Sequence, residues 1–313
     1  FWGRLRESWK QKMPSVLGID TSNYTTSVAL WKDGVNFQEK KLLPVTKGEL
    51  GLRQGDAVFH HVVQLPQVFT KLPAIGPDLA AVGASDRPRS IEHSYMPCFL
   101  VGLGTAQALA KAEQMPLYRF SHQQGHIAAV LYSAGRLDLL QERFLAFHVS
   151  GGTTETVLVT PNEKQVFHTE IVAQSLDLKG GQAVDRVGAM LGLPFPAGKG
   201  LEALARKSSR KISVRATMKG ADCSLSGIEN QCRSMLDRKE PKEEIAAFCL
   251  ASILAAIEGM ADALLERFGR LPLVFAGGVM SDGILRGALE TKYGALFAEP
   301  EFSCDNAAGI SVL

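Results

Sequence analysis

His122 and His126, in the segment SHQQGH at 121–126, are the first residues whose type and spacing suggest chemistry. Histidines four apart in a helix lie on one face, one turn apart. Ser121 suits the N-cap position, so a helix would begin just before His122. Two neutral imidazoles on one face can share a divalent ion. Two histidines near a helix start could equally be capping or surface residues.

In an H-E-x-x-H peptidase the Glu after the first His is the general base. Gln123 stands at that position and cannot take a proton, which disfavours a peptidase of that type. A second candidate is SGGTT at 150–154, where Ser150, Gly151 and Gly152 follow a buried strand. Such a turn exposes backbone N–H groups with no side chain in the way, as phosphate-holding nests do. Paired with a similar turn near Asp20, Thr21 and Ser22 in TSNYTTS, it reads as one of two phosphate turns. FAGGVMSDG at 275–283 brings a buried strand to Gly277 and Gly278 and then into a helix, so backbone can approach a ligand there. An ordinary strand-to-helix turn is the equal alternative. Asp305, in CDNAAGIS, reads by default as a helix N-cap. Asp185 is the one acid in an apolar helical run, either solvated or bound to ribose hydroxyls.

The elements that must position these residues form an internal duplication. Residues 15–34 and 143–162 each read as strand, small-residue turn, strand and a second turn, Asp-Gly in one and Pro-Asn in the other. Matching elements follow each hairpin, and the sum is two copies of β-β-β-α-β-α-β-α. The expected fold class is α/β, with lobe I over 13–142, lobe II over 143–313 and a disordered extension over 1–12. Crossovers of this kind favour right-handed parallel pairing. The arrangement resembles the actin, Hsp70 and sugar-kinase superfamily (ASKHA), which implies two facing lobes with a nucleotide between them.

Composition sets bounds on function. Apolar residues make up 46% of the 313 residues and charged ones 21%, the mix of a globular protein. Lys plus Arg is 34 and Asp plus Glu is 32, a balance that argues against a general nucleic-acid coat while leaving room for a local basic patch. The five cysteines include no C-x-x-C pair, so neither a disulfide framework nor a cysteine zinc ribbon is suggested, and a reducing cytoplasm is expected. No apolar run reaches the ~18 residues of a membrane span, so no membrane partner is expected.

Taken in order, several segments resemble the TsaD-type tRNA threonylcarbamoyladenosine synthase family, once called O-sialoglycoprotein endopeptidases. GIDTS (18–22) is similar to its G-I-E-T-S, SHQQGH to N-H-x-x-G-H, and HVSGG (148–152) to its substrate-phosphate loop. GQAVDRVGAMLGLPFPAG (181–198), SLSGIE (224–229), GGVMSDGILR (277–286) and CDNAAGIS continue the match, which spans Val16 to Ile310. The resemblance implies transfer of threonylcarbamoyl from an adenylate, made with ATP, to adenosine of tRNA. It implies one divalent metal, zinc or iron, held by His122, His126 and Asp305 and acting as a Lewis acid. It implies an adenylate lined by His148, Val149, Ser150, Gly151, Gly152, Asp185, Gly198 and Glu202, with Gly277, Gly278 and Asp282 near the nucleoside. A paralogous partner subunit and a small ATPase are the implied partners. No catalytic side chain is assigned.

The departures from the family pattern are specific. Tyr24 and Thr25 replace its acidic pair, SDRPRSIEHSYMP (85–97) replaces its G-P-G-L loop, Thr153 replaces a His, and Asp282 replaces an Asn. This pattern suits a divergent paralogue: a threonylcarbamoyl- or carbamoyl-transferase, or a non-catalytic nucleotide- and metal-binding partner subunit. A metallopeptidase is the third reading, which Gln123 disfavours.

Overall fold

The computed structural model describes residues 14–22, 24–44, 52–91, 93–210, 212–299, 301–303 and 307–313. The extension expected over 1–12 and the expected metal ligand Asp305 lie outside the described residues. The chain divides into two compact units, Phe1–Ser133 with Asp305–Leu313, and Ala134–Cys304.

In the first unit the order is β1 (Ser15–Ser22), β2 (Thr25–Lys32), β3 (Val35–Leu42), α1 (Gln54–Phe69), β4 (Leu79–Arg87), α2 (Phe99–Ala112), β5 (Leu117–Ser121) and α3 (His122–Ser133). The five strands form one sheet in the order β3-β2-β1-β4-β5. β1 pairs antiparallel with β2 and parallel with β4. β2 turns into β3 through Asp33 (φ 52°) and Gly34 (φ 81°), the two left-handed residues of a tight hairpin. β1 and β2 are buried along most of their length, as expected of central strands covered on both faces.

The second unit repeats the plan with β6 (Phe144–Val149), β7 (Thr154–Asn162), β8 (Val166–Gln174), α4 (Gly180–Met190) and α5 (Gly198–Ala205). An added hairpin follows, β9 (Thr217–Lys219) and β10 (Asp222–Ser224), then α6 (Ser226–Asp237) and α7 (Lys242–Phe268). β11 (Leu273–Ala276), α8 (Gly283–Tyr293) and β12 (Leu296–Phe297) complete it. The main sheet runs β12-β11-β6-β7-β8, the same order as in the first unit. Phe147, Phe275 and Phe297 stand in register on neighbouring strands and stack with centroids 4.5 and 5.1 Å apart. The Pro-Asn pair expected to make a turn lies at the end of β7 instead. Asn162 Oδ1 accepts from the N–H groups of Lys164 and Gln165 and so shapes the turn that follows.

By length and composition the 27-residue α7 could cross a bilayer. Its buried residues include Ile245, Cys249, Ile253, Ile257, Met260 and Leu264, at the three- and four-residue spacing of one helix face. That face lies in the core of the second unit. The last helix, α9 (Ala308–Val312), belongs to the first unit and packs against α3, β1 and β2.

Candidate functional site

The histidine pair begins in a capping box. Gln124 N–H donates to Ser121 Oγ (3.2 Å), and Ser121 N–H donates back to Gln124 Oε1 (2.8 Å). This fixes the helix start at His122. His122 and His126 then face each other with ring centroids 4.4 Å apart at 71°. His126 is 6% exposed.

Asp20 controls the first of these rings. Its Oδ2 lies 2.6 Å from His122 Nδ1, and its Oδ1 accepts from Ser85 Oγ at 2.7 Å. The carboxylate is 1% exposed. With Nδ1 committed to Asp20, coordination by His122 would use Nε2. A carboxylate on the far nitrogen is the usual companion of a metal-ligating histidine, so the pair fits a metal. Among the described residues no group of three or more His, Cys, Asp or Glu is assembled to hold one, and the third expected ligand, Asp305, lies outside them.

Asp20, Thr21 and Ser22, expected at a phosphate turn, direct their side chains into the first unit. All three are buried. Thr21 Oγ1 donates to Cys98 O and accepts from Gly102 N–H, tying β1 to α2. Nearby, buried His61 lies 2.8 Å by Nδ1 from Thr26 Oγ1, and burial lowers its pKa.

The second unit holds a cavity of about 660 Å³. Of the expected residues, Ser150, Gly151, Asp185, Gly198, Glu202, Gly278 and Asp282 line it. His148, Val149, Gly152 and Gly277 are absent from the lining. Val149 is a core residue, 1% exposed. Gly277, at φ 100°, lets the chain pass beside Val149 O where a Cβ would collide.

Close backbone approach forms one wall. A Cβ on Gly181 would lie 2.6 Å from Gly151 N, so only glycine brings the start of α4 against the Ser150–Gly151 turn. Gly181 N–H donates to Ser150 O across that junction (3.0 Å). Asp185 Oδ1 accepts from Ala197 N–H (2.9 Å), fixing the loop that precedes α5. Asp282 Oδ1 accepts from Ile284 and Leu285 N–H and caps α8. Its pKa lies above the ordinary carboxylate value, because burial and then the charge of Glu202 outweigh those N–H groups. Lys199 is the single cation of the lining.

Asp20's role could not be read from spacing, because its partner is 102 residues away. Gly181 and Lys199 had weak signals, one in a Gly-Gly at a helix start and the other in a Gly-rich punctuation.

A family model described as TsaD: tRNA N6-adenosine threonylcarbamoyltransferase matches residues 95–312. The chain is similar to the tRNA N6-adenosine threonylcarbamoyltransferase of Bacillus licheniformis, at 28% identity over 95% of this chain and 89% of that protein. It is similar to that of Enterococcus faecalis at 29% identity, over 88% and 80%. Full-length HypF, solved in its phosphate- and nucleotide-bound form, superposes with a TM-score of 0.61 at 14% identity, over 96% of this chain and 55% of HypF. Component A of the Acidaminococcus fermentans (R)-2-hydroxyglutaryl-CoA dehydratase gives a TM-score of 0.55 at 17% identity, over 96% of both chains. At such identities the likeness is one of fold, and it is the duplicated α/β fold of the actin and sugar-kinase type. By the family match and by relatives along nearly its whole length, the chain belongs to the TsaD family of tRNA N6-adenosine threonylcarbamoyltransferases.

Proposed function

We propose that this protein transfers threonylcarbamoyl from its adenylate to an adenosine of tRNA, with a divalent metal held by His122, His126 and Asp305. The cavity of the second unit carries the reading. Its lining supplies what an adenylate needs at separate places: open backbone at Ser150 and Gly151 beside the start of α4, and carboxylates at Asp185, Glu202 and Asp282. A phosphate over Gly151 would lie at the N-terminal end of an 11-residue helix, where N–H groups and the helix dipole favour an anion. The carboxylates would accept from ribose hydroxyls, and Lys199 would offset their charge. In the first unit, Asp20 would hold the His122 ring so that Nε2 meets the metal. When bound, the metal, zinc or iron, would supply Lewis-acid polarisation of the threonylcarbamoyl group.

A second reading is favoured by Tyr24 and Thr25. No carboxylate stands at either position, and Thr25 is buried in β2. On that reading the protein binds nucleotide and metal as a partner subunit without turnover. Reconstitution separates the two. Metal-loaded protein is incubated with tRNA, a paralogous subunit, a small ATPase of the family and the threonylcarbamoyl adenylate, generated from threonine, bicarbonate and ATP by an enzyme that forms it, and digested tRNA is analysed by mass spectrometry. Threonylcarbamoyladenosine that depends on this chain supports transfer. Its absence, with ATP still bound, supports the partner role.

A further inference from the structure

One stretch of the second unit is strongly basic. Fourteen residues from Arg206 to Lys219 contain six Lys or Arg and no Asp or Glu, while the whole chain has a net charge of only +2, so the remainder is net acidic. Every described cation of this strip (Arg206, Lys207, Arg210, Arg215 and Lys219) is exposed. Part of the charge is answered locally, since Arg206 pairs with Glu202 and Arg210 lies 3.7 Å from Glu240. Among the described residues Lys207, Arg215 and Lys219 have no ion-pair partner.

The strip is anchored to the unit. Ser208 Oγ donates to Glu244 Oε2 at 3.0 Å, Met218 packs against Gly259 of α7, and β9 pairs with β10 in register. Its apolar members Ile212 and Val214 are partly buried, so what it offers to solvent is mainly charge and hydroxyl. The strip also starts at the cavity. Lys199 and Glu202 line the cavity from α5, and Arg206 follows Glu202 by one helical turn. Just before α5 stands Phe195, which is 84% exposed, next to Pro196 in the cavity wall.

We propose that Arg206, Lys207, Arg210, Arg215 and Lys219, with Phe195, form an RNA-docking face of the second unit, the cations tracking phosphates and the Phe195 ring stacking on a base. This rests on the tRNA-directed reading above. Exposed cations on an anchored segment, and an exposed aromatic ring, each adjoining the wall of a cavity fit for a nucleotide, are the features that single-stranded nucleic acid needs. An anionic membrane would be met better by an amphipathic helix with an apolar face, and this strip has mostly irregular backbone with its aliphatic side chains partly buried.

The test uses the full chain and an unmodified tRNA transcript, with AMP and phosphatidylserine vesicles as separate probes. The triple variant Lys207→Ala, Arg215→Ala, Lys219→Ala should bind tRNA at least tenfold more weakly near 0.1 M salt. Its plot of log K against log salt should flatten by about 2 for three lost phosphate contacts to a single strand. AMP affinity should stay within twofold of the parent, which also reports that the second unit is folded. Phe195→Ala should weaken tRNA about tenfold with an unchanged salt slope, since stacking releases no counterions. Equal tRNA affinity and slope in parent and triple variant would overturn the proposal, as would vesicle binding with no tRNA binding. If the predicted losses occur but reconstitution yields no modified adenosine, the docking face stands and the transfer reading fails.

Discussion

At the residue scale, Asp282 answers two opposed demands. As the N-cap of α8 it is favoured by the N–H groups of Ile284 and Leu285, while burial and neighbouring Glu202 disfavour its charge. The net effect is a pKa above the ordinary carboxylate value. The folded chain therefore holds this proton more tightly than the unfolded one, and stability falls as pH rises from the ordinary carboxylate range through the raised value. Asn keeps the capping oxygen without the charge. Asp282→Asn should raise the melting temperature by on the order of 2 °C at neutral pH and leave it unchanged below about pH 3.5. A variant equally stabilised at both pH values would show that the charge is not the cause. Asp20 is the counterpart in the first unit. Asp20→Asn keeps the size but removes the carboxylate from His122 Nδ1, and zinc affinity by chelator competition should fall about 10- to 100-fold. Unchanged affinity would reduce Asp20 to a packing residue. The histidine pair was legible because helical period alone puts 122 and 126 on one face. Asp20 was not legible in that role, because a strand residue's partner is set by the sheet and helices around it.

At the element scale, the join between α3 and α9 depends on glycine. A Cβ on Gly309 would collide with the carbonyl of Gly125, and one on Gly18 would lie 2.7 Å from Ala307 O and Ser311 N. Both partners are backbone and cannot rotate aside. Gly309→Ala should therefore cost about 3 kcal/mol, the upper range for overpacking, read as a lower urea midpoint by circular dichroism. A midpoint equal to the parent's would mean that α9 is not seated on α3 in solution. This join was not legible from periodicity, since α9 has only five residues. α7 is legible as a helix in the sequence, because a long one-sided apolar stripe survives any reading window. α6 and the β9–β10 hairpin were not. α6 buries only Ile228, Cys232 and Met235 in twelve residues, and the two strands have three residues each, too few to show alternation.

At the scale of the whole molecule, the duplication was the most legible feature, because each copy repeats the strand–turn–strand signature before its helices diverge. The identical strand order of the two sheets gives it physical form. On the proposed reading it would also divide the binding work. Both histidines and Asp20 belong to the first unit, while every residue lining the 660 Å³ cavity belongs to the second. Two sites built on separate cores should fail separately, provided the probe is short enough to engage one alone. AMP, with a single phosphate, is such a probe. His126→Ala should lose zinc and keep AMP affinity within about threefold, the additivity expected of residues without shared partners. Gly181→Val should drive a side chain into the Gly151 backbone, weaken AMP about tenfold or more, and leave zinc stoichiometry intact. Calorimetry with AMP and metal analysis after dialysis would read both columns of this four-way comparison. Loss of AMP binding in a folded, zinc-free His126→Ala protein would show that the metal is part of the nucleotide site, and the division of labour between the two halves of the duplication would be wrong.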